Sequence, residues 1–115
     1  MSFRASSREV GGVTIIDLDG RITLGEGSLL LRNLIREKLD SGHKKIVMNM
    51  AGIEYMDSTG LGELVSSYRW VKRQDGELKL MNLNKKVSDL LQVTRLYAVF
   101  DIHNDEAQAV ASFKS

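Results

Sequence analysis

Ile46-Val47-Met48-Asn49-Met50, followed after a short connection by Met56-Asp57-Ser58-Thr59-Gly60-Leu61-Gly62, is the stretch on which the fold reading turns. Its first half is a short, almost continuous apolar run, the pattern of a central strand covered on both faces. Beyond its second half, Leu61, Leu64, Val65, Tyr68 and Val71 step by three and four, the spacing of an amphipathic helix that stops near Asp75-Gly76. A buried strand followed by an amphipathic helix is half of a parallel β-α-β crossover.

The flanking sequence extends the same pattern. Phe3 to Glu9 reads as an edge strand, and Gly11-Gly12 as a hairpin turn into Val13-Thr14-Ile15-Ile16-Asp17-Leu18-Asp19. That run alternates, with Val13, Ile15 and Asp17 on one face and Ile16 and Leu18 on the other. Thr23-Leu24-Gly25-Glu26 fits a capping box, and Leu30, Leu31, Leu34, Ile35 and Leu39 behind it recur at helical spacing until Ser41-Gly42. Downstream, Glu77 to Leu83 alternates as a strand, and Val87, Leu90 and Leu91 mark a helix from about Lys85 to Val93. Val99 to His103 reads as a last strand, and Asn104-Asp105 as the cap of a final helix carrying Ala107, Val110, Ala111 and Phe113. The order β-β-α-β-α-β-α-β-α predicts one α/β domain over residues 1–115, with a mixed, mostly parallel sheet, an N-terminal antiparallel hairpin and four helices.

Composition narrows the function classes. The chain of 115 residues is 43% hydrophobic and contains no Pro and no Cys. Such a length buries a core without disulfides, and the lack of thiols fits a reducing compartment. The segment Met1-Ser2-Phe3-Arg4-Ala5 does not resemble a secretory leader, and no run nears the roughly 18 apolar residues of a membrane span. A cytoplasmic location is the expectation. Sixteen basic against fifteen acidic residues leave a net charge of +1, so no global field draws in nucleic acid. The local runs Arg69, Lys72, Arg73 and Lys85, Lys86 read as solvated helix surface.

Catalytic patterns are missing. Met56 stands where a serine-hydrolase elbow needs glycine before Ser58. No Gly-Lys pair exists for a phosphate-cradling loop. Gly60-x-Gly62 lacks the third glycine of a dinucleotide site, and no strand is expected to lead straight into it. The two histidines, His43 and His103, sit at a helix stop and a strand end, and Asp17 and Asp19 read as strand-end surface. The chain is read as a binding module, not an enzyme, without a cofactor or metal of its own.

The working part is placed at residues 56–62. Asp57 or Ser58 can cap the helix by accepting a backbone N–H one turn in. Each glycine in a helical turn costs about 1 kcal/mol relative to alanine, so Gly60 and Gly62 demand another reason. They clear room for an approaching backbone, either the domain's own neighbouring loop or a partner. Leu61 begins the apolar stripe and reads equally as core or contact. Ser58 and Thr59 lie where free N–H groups and the helix dipole converge, so a phosphate there is tolerated by the fold.

Gly52-Ile53-Glu54-Tyr55-Met56-Asp57-Ser58-Thr59-Gly60-Leu61-Gly62 resembles the signature of the STAS family, in particular of bacterial anti-sigma factor antagonists. Gly20-Arg21-Ile22, Ile46-Val47-Met48-Asn49, Gly76-Glu77-Leu78-Lys79-Leu80, Val87-Ser88-Asp89-Leu90-Leu91 and Phe100-Asp101-Ile102 extend the likeness over nearly the whole chain. The resemblance implies partner switching: the unmodified antagonist binds a serine-kinase anti-sigma factor, which releases its sigma factor. The kinase then uses ATP to phosphorylate the serine after the signature Asp, here Ser58, and a metal-dependent serine phosphatase resets the cycle. On this resemblance Asp57, Ser58, Thr59, Gly60, Leu61 and Gly62 form the recognition surface, and ATP and metal belong to the partners. STAS modules also serve in non-sigma signalling complexes and lipid-transport assemblies. One departure stands out: antagonists of the sporulation and stress type carry Gly-Glu-x-Asp after the second strand, whereas this chain has Gly20-Arg21-Ile22-Thr23. A loop with Arg21 and Thr23 in place of two acids favours a partner surface of different charge.

Overall fold

A computed structural model of the chain describes residues 3–23 and 26–113. Strand β1 (Arg4–Val10) turns into β2 (Val13–Ile22), followed by α1 (Glu26–Asp40), β3 (Lys45–Met56), α2 (Ser58–Arg73) and β4 (Glu77–Met81). Helix α3 (Lys85–Val93), a 3-10 turn (Leu96–Ala98), β5 (Ile102–His103) and α4 (Glu106–Ala111) complete the chain. The hairpin turn has Gly11 and Gly12 at φ of +56° and +82°, and it sets Val10 opposite Val13. Two successive positive φ values match the twist of a two-residue hairpin and are open to glycine at little steric cost.

The five strands lie in sequence order β1-β2-β3-β4-β5, with β1 antiparallel to β2 and the other neighbours parallel. Stepping always to the next position with crossovers of one hand puts every connecting helix on one face. The main core accordingly joins Ile16, Leu18 and Ile22 of β2, Ile46, Met48 and Met50 of β3, and Leu78 and Leu80 of β4 to the helices. Leu31, Ile35 and Leu39 come from α1, Leu61, Leu64 and Val71 from α2, and Val87 and Leu91 from α3. On the opposite face Val13, Ile15, Val47 and Met81 meet Ala109 of α4 and Phe113 just beyond it.

Several expectations require correction. Gly20, Arg21 and Ile22, read as a loop after the second strand, belong to β2 because they stay paired with Ile53, Tyr55 and Met56 of β3. Leu30 is 43% exposed, because the buried row of α1 runs through Leu31, Ile35 and Leu39, with Leu34 packed beside it. Val99 to Asp101 are not strand. Arg95 adopts a left-handed φ of +64° that ends α3, and Val99 closes the 3-10 turn with helical angles. Only Ile102 and His103 pair with β4, while Phe100 drops into the core against Tyr68 at 5.2 Å, edge to face. In α4, Asp105 caps the helix by accepting from the Gln108 N–H at 2.8 Å, and Ala109 turns inward while Ala107 and Ala111 stay exposed. Strand β3 also runs past Met50 to Met56 and leads almost directly into α2. The capping box at 23–26 lies partly outside the described residues.

Asp17 is not plain strand-end surface. Arg8 grips its carboxylate at 2.7 and 3.2 Å and reaches Glu106 of α4 at 2.6 and 3.1 Å. Asn49 donates to Asp17 at 2.8 Å and accepts from Asn82 at 3.1 Å, so the network crosses β1, β2 and β3 to the end of β4. The hydrogen bond from Arg8 holds the carboxyls of both Asp17 and Glu106 below the ordinary carboxylate range. These groups therefore ionise more readily folded than unfolded, and they favour folding above their unfolded pKa values of about 4. That contribution is lost as pH falls through the lower folded values. Arg8→Gln should accordingly lower the urea midpoint most near neutral pH, with the gap from wild type closing on acidification. A gap that stays constant down to pH of about 2 is the contrary result.

Candidate functional site

The site is built where β2 and β3 end together. Their parallel register carries Ile22 opposite Met56 and Arg21 opposite Tyr55. The next residue after Met56, Asp57, has extended angles (φ −100°, ψ −174°), and its Oδ1 accepts from the Gly60 N–H at 2.8 Å. Its carbonyl takes the Leu61 N–H at 2.9 Å, the first hydrogen bond of the helix. Asp57, not Ser58, is thus the cap, which leaves Ser58 as the first residue of α2 with its side chain exposed. Thr59 is exposed beside it.

The two glycines separate into different roles. A Cβ on Gly60 would stand 2.8 Å from the carbonyl carbon of Ile22, closer still to its oxygen, and 3.0 Å from its Cγ2. The end of β2 fills that space, so Gly60 is what lets α2 seat against the sheet. A Cβ on Gly62 would meet nothing within 4 Å, and Gly62 faces outward. Leu61 is 5% exposed and belongs to the main core, which settles its reading in favour of packing. The outward surface of the segment is consequently Ser58, Thr59 and Gly62, floored by Gly60 and Leu61.

Arg21 is exposed, with its guanidinium 5.1 Å from the centre of the Tyr55 ring. This packing gives the arginine a defined position at the same end of the sheet as Ser58. Thr23 is half-buried one residue past Ile22, immediately before the segment that is not described. Sequence reasoning missed one neighbouring feature, an apolar groove of about 260 Å³ lined by Tyr55, Met56, Val87, Leu90 and Val93. Val93 is 81% exposed and lies off the buried row of α3. An apolar residue out of step with the helical repeat was the available signal.

The remaining candidates are elsewhere. Asp19 pairs with Arg4 at 2.5 Å, His43 approaches Glu9 at 3.5 Å, and His103 approaches Asp101 at 3.2 Å. Asp101 also binds Lys79 at 2.9 Å, and the lysine, followed by the histidine, holds its carboxyl below the ordinary range. Among the described residues no three His, Cys, Asp or Glu side chains converge as metal ligands. No described helix is long and apolar enough to cross a membrane.

The family profile described as the STAS domain matches residues 4–109, and the chain belongs to that family. It is 32% identical to the anti-sigma-B factor antagonist of Bacillus subtilis over 87 residues, 76% of this chain and 78% of the other. Its fold is similar to that of an anti-sigma factor antagonist from Mycobacterium paratuberculosis, with a TM-score of 0.85 and 16% identity over 96% of this chain and 93% of the other. It is also similar to the Bacillus cell fate determinant SpoIIAA in its phosphorylated form, with a TM-score of 0.71 and 20% identity over 96% and 97% of the two chains.

The split between the glycines yields a direct comparison. Gly60→Ala should destabilise the chain by about 1–3 kcal/mol, because the methyl group meets backbone that has no room to yield. Gly62→Ala should leave stability unchanged or raise it by about 0.4–1 kcal/mol. Chemical denaturation of both variants checks the pair, and equal effects would contradict the assignment.

Proposed function

We propose that this protein is a cytoplasmic anti-sigma factor antagonist that switches partners through Ser58. In its unmodified form it binds a serine-kinase anti-sigma factor and so frees a sigma factor. Phosphorylation of Ser58 by that kinase, with ATP as donor, ends the interaction, and a serine phosphatase restores it. The observation that carries this reading is an exposed serine at the first position of a capped helix, on a segment whose outward side is otherwise Thr59 and Gly62. The relatives named as anti-sigma factor antagonists support it.

The chemistry fits the location. Transfer forms a bond from the Ser58 oxygen to the γ-phosphorus, releases ADP and loses the hydroxyl proton. The product adds about −1.5 to −2 charge at neutral pH. The positive end of the α2 dipole lies beneath it and offsets part of that charge. Asp57 is already committed to the Gly60 N–H, so the cap is retained while the surface turns strongly negative. Arg21, held over Tyr55, puts a positive group on the adjoining rim beside the neutral Thr23, and that suits an acidic patch on the kinase.

Incubation with ATP and a candidate histidine-kinase-like serine kinase of the same genome should place one phosphate on Ser58, located by mass spectrometry and absent from Ser58→Ala. Ser58→Asp should melt within a few degrees of wild type yet lose the kinase in a pull-down. A chain left unmodified by any candidate kinase would remove the switch, and an unfolded Ser58→Asp would remove the accommodated charge.

A further inference from the structure

The seam between α1 and α2 carries a second set of recognition chemistry. Arg32 of α1 donates to both Glu63 carboxylate oxygens of α2 through the Nε–Nη2 edge of its guanidinium, at 3.0 and 2.9 Å. The Glu63 side chain is only 10% exposed, so one cation of the seam is already matched. One turn further along α1, Arg36 lies 5.6 Å from the centre of the Trp70 ring. Arg73 follows on α2, and Ser66 and Ser67 complete a groove of about 280 Å³. Ser67 is 2% exposed, and its hydroxyl has no hydrogen-bond partner among the described residues.

The expectation of a plain solvated face overlooks Trp70, which stands inside the Arg69, Lys72, Arg73 run. Among the described residues, no carboxylate pairs with Arg36, Arg69, Lys72 or Arg73. Arg69 and Arg73 are also four apart on one helix, a like-charge spacing that weakens an isolated helix. Arginine stacked on an aromatic ring keeps its donors in a fixed fork at reduced entropic cost. Trp and Arg together are the residue types in which interface binding energy concentrates.

We propose that this groove is a docking site for an acidic, apolar-tipped segment of a partner protein. Its carboxylates would take the free forks of Arg36 and Arg73, and an apolar side chain would lie on the open part of Trp70. Charge complementarity selects the occupant: after Glu63 neutralises Arg32, the groove keeps the two arginines Arg36 and Arg73, with Arg69 one turn before Arg73 on the same helix. A nucleic-acid backbone fits less well, since the net charge of +1 supplies no field for a polyanion and Glu63 stands in the wall. The volume holds a few side chains, below the range of enclosed small-molecule sites. Trp70 lies twelve residues beyond Ser58, about 18 Å along the same helix, so the groove is separate from the phosphoacceptor and does not depend on its role.

The chain's single tryptophan makes the test direct. Titration of the 115-residue chain with a Glu/Leu peptide should shift and quench the Trp70 emission, and added salt should weaken the effect. A Lys/Leu peptide should leave the emission unchanged. The exposed pair Arg36→Glu with Arg73→Glu should cut affinity about tenfold or more, with Arg36→Gln and Arg73→Gln as the milder pair if the reversal fails to fold. Ser58→Asp should bind the Glu/Leu peptide as wild type does. Emission unmoved by the acidic peptide, undiminished binding by the arginine variants, or a stronger response to duplex DNA or to phosphatidylglycerol vesicles would each overturn the proposal.

Discussion

The meeting of α2 with the end of β2 governs the rest of the molecule. Gly60 lies against the Ile22 carbonyl, closer than any residue with a Cβ could come. That contact exists because β2 and β3 stay paired out to Ile22 and Met56, past two register shifts that each add a residue to β3. Leu61 and Leu64 then enter the core at once, and the Asp57 cap closes over the first turn. A serine two residues before such a contact has little freedom in where its backbone goes and full freedom in what its hydroxyl meets. Rigidity below and exposure above are the conditions under which an added charge changes a surface without changing a fold.

Much of this arrangement was legible in the residues themselves. The apolar repeats of α1 and α2, the Gly11-Gly12 turn and the bounds of α3 are local patterns, and local patterns specify local structure. What escaped depends on residues far apart in sequence. Arg8 and Glu106 are 98 positions apart, so nothing near Asp17 signals that it will be held in an ion-pair network. Gly60 and Gly62 look alike in the sequence, and only the arrival of Ile22 from another strand tells them apart. Val99 to Asp101 has the composition of a strand, yet the left-handed Arg95 and the 3-10 turn set its backbone first. The candidate site was therefore chosen by residue type and position, while the division of its residues between packing and surface required tertiary contacts.

The two faces of the sheet are stabilised by different means. On one, three helices bury a continuous apolar core. On the other, a six-residue helix covers only part of the sheet, and its hold combines Ala109 and Phe113 with ionic contacts. Lys79 shows how those contacts are made: its ammonium meets Ser112 at 2.8 Å and Asp101 at 2.9 Å, and lies 4.5 Å from the centre of the Phe113 ring. A helix too short to be stable alone is thereby tied to β4 at its C-terminal end and to β1 through Glu106 at its start.

Helix α2 links these considerations to function. Its inward row seats the domain, its first residue carries the exposed hydroxyl, and its last turn carries Arg73 beside Trp70, with no carboxylate partner among the described residues. The two outward regions differ in kind. On the proposed switch, recognition at Ser58 would depend on whether a charge has been added, and the helix dipole would make that addition tolerable. At the α1–α2 seam the charges are permanent and Arg36 lies over the Trp70 ring, so the proposed docking there would be constant. A single rigid helix can thus hold one contact steady while the other is made or broken, because the core beneath it has no need to rearrange for either.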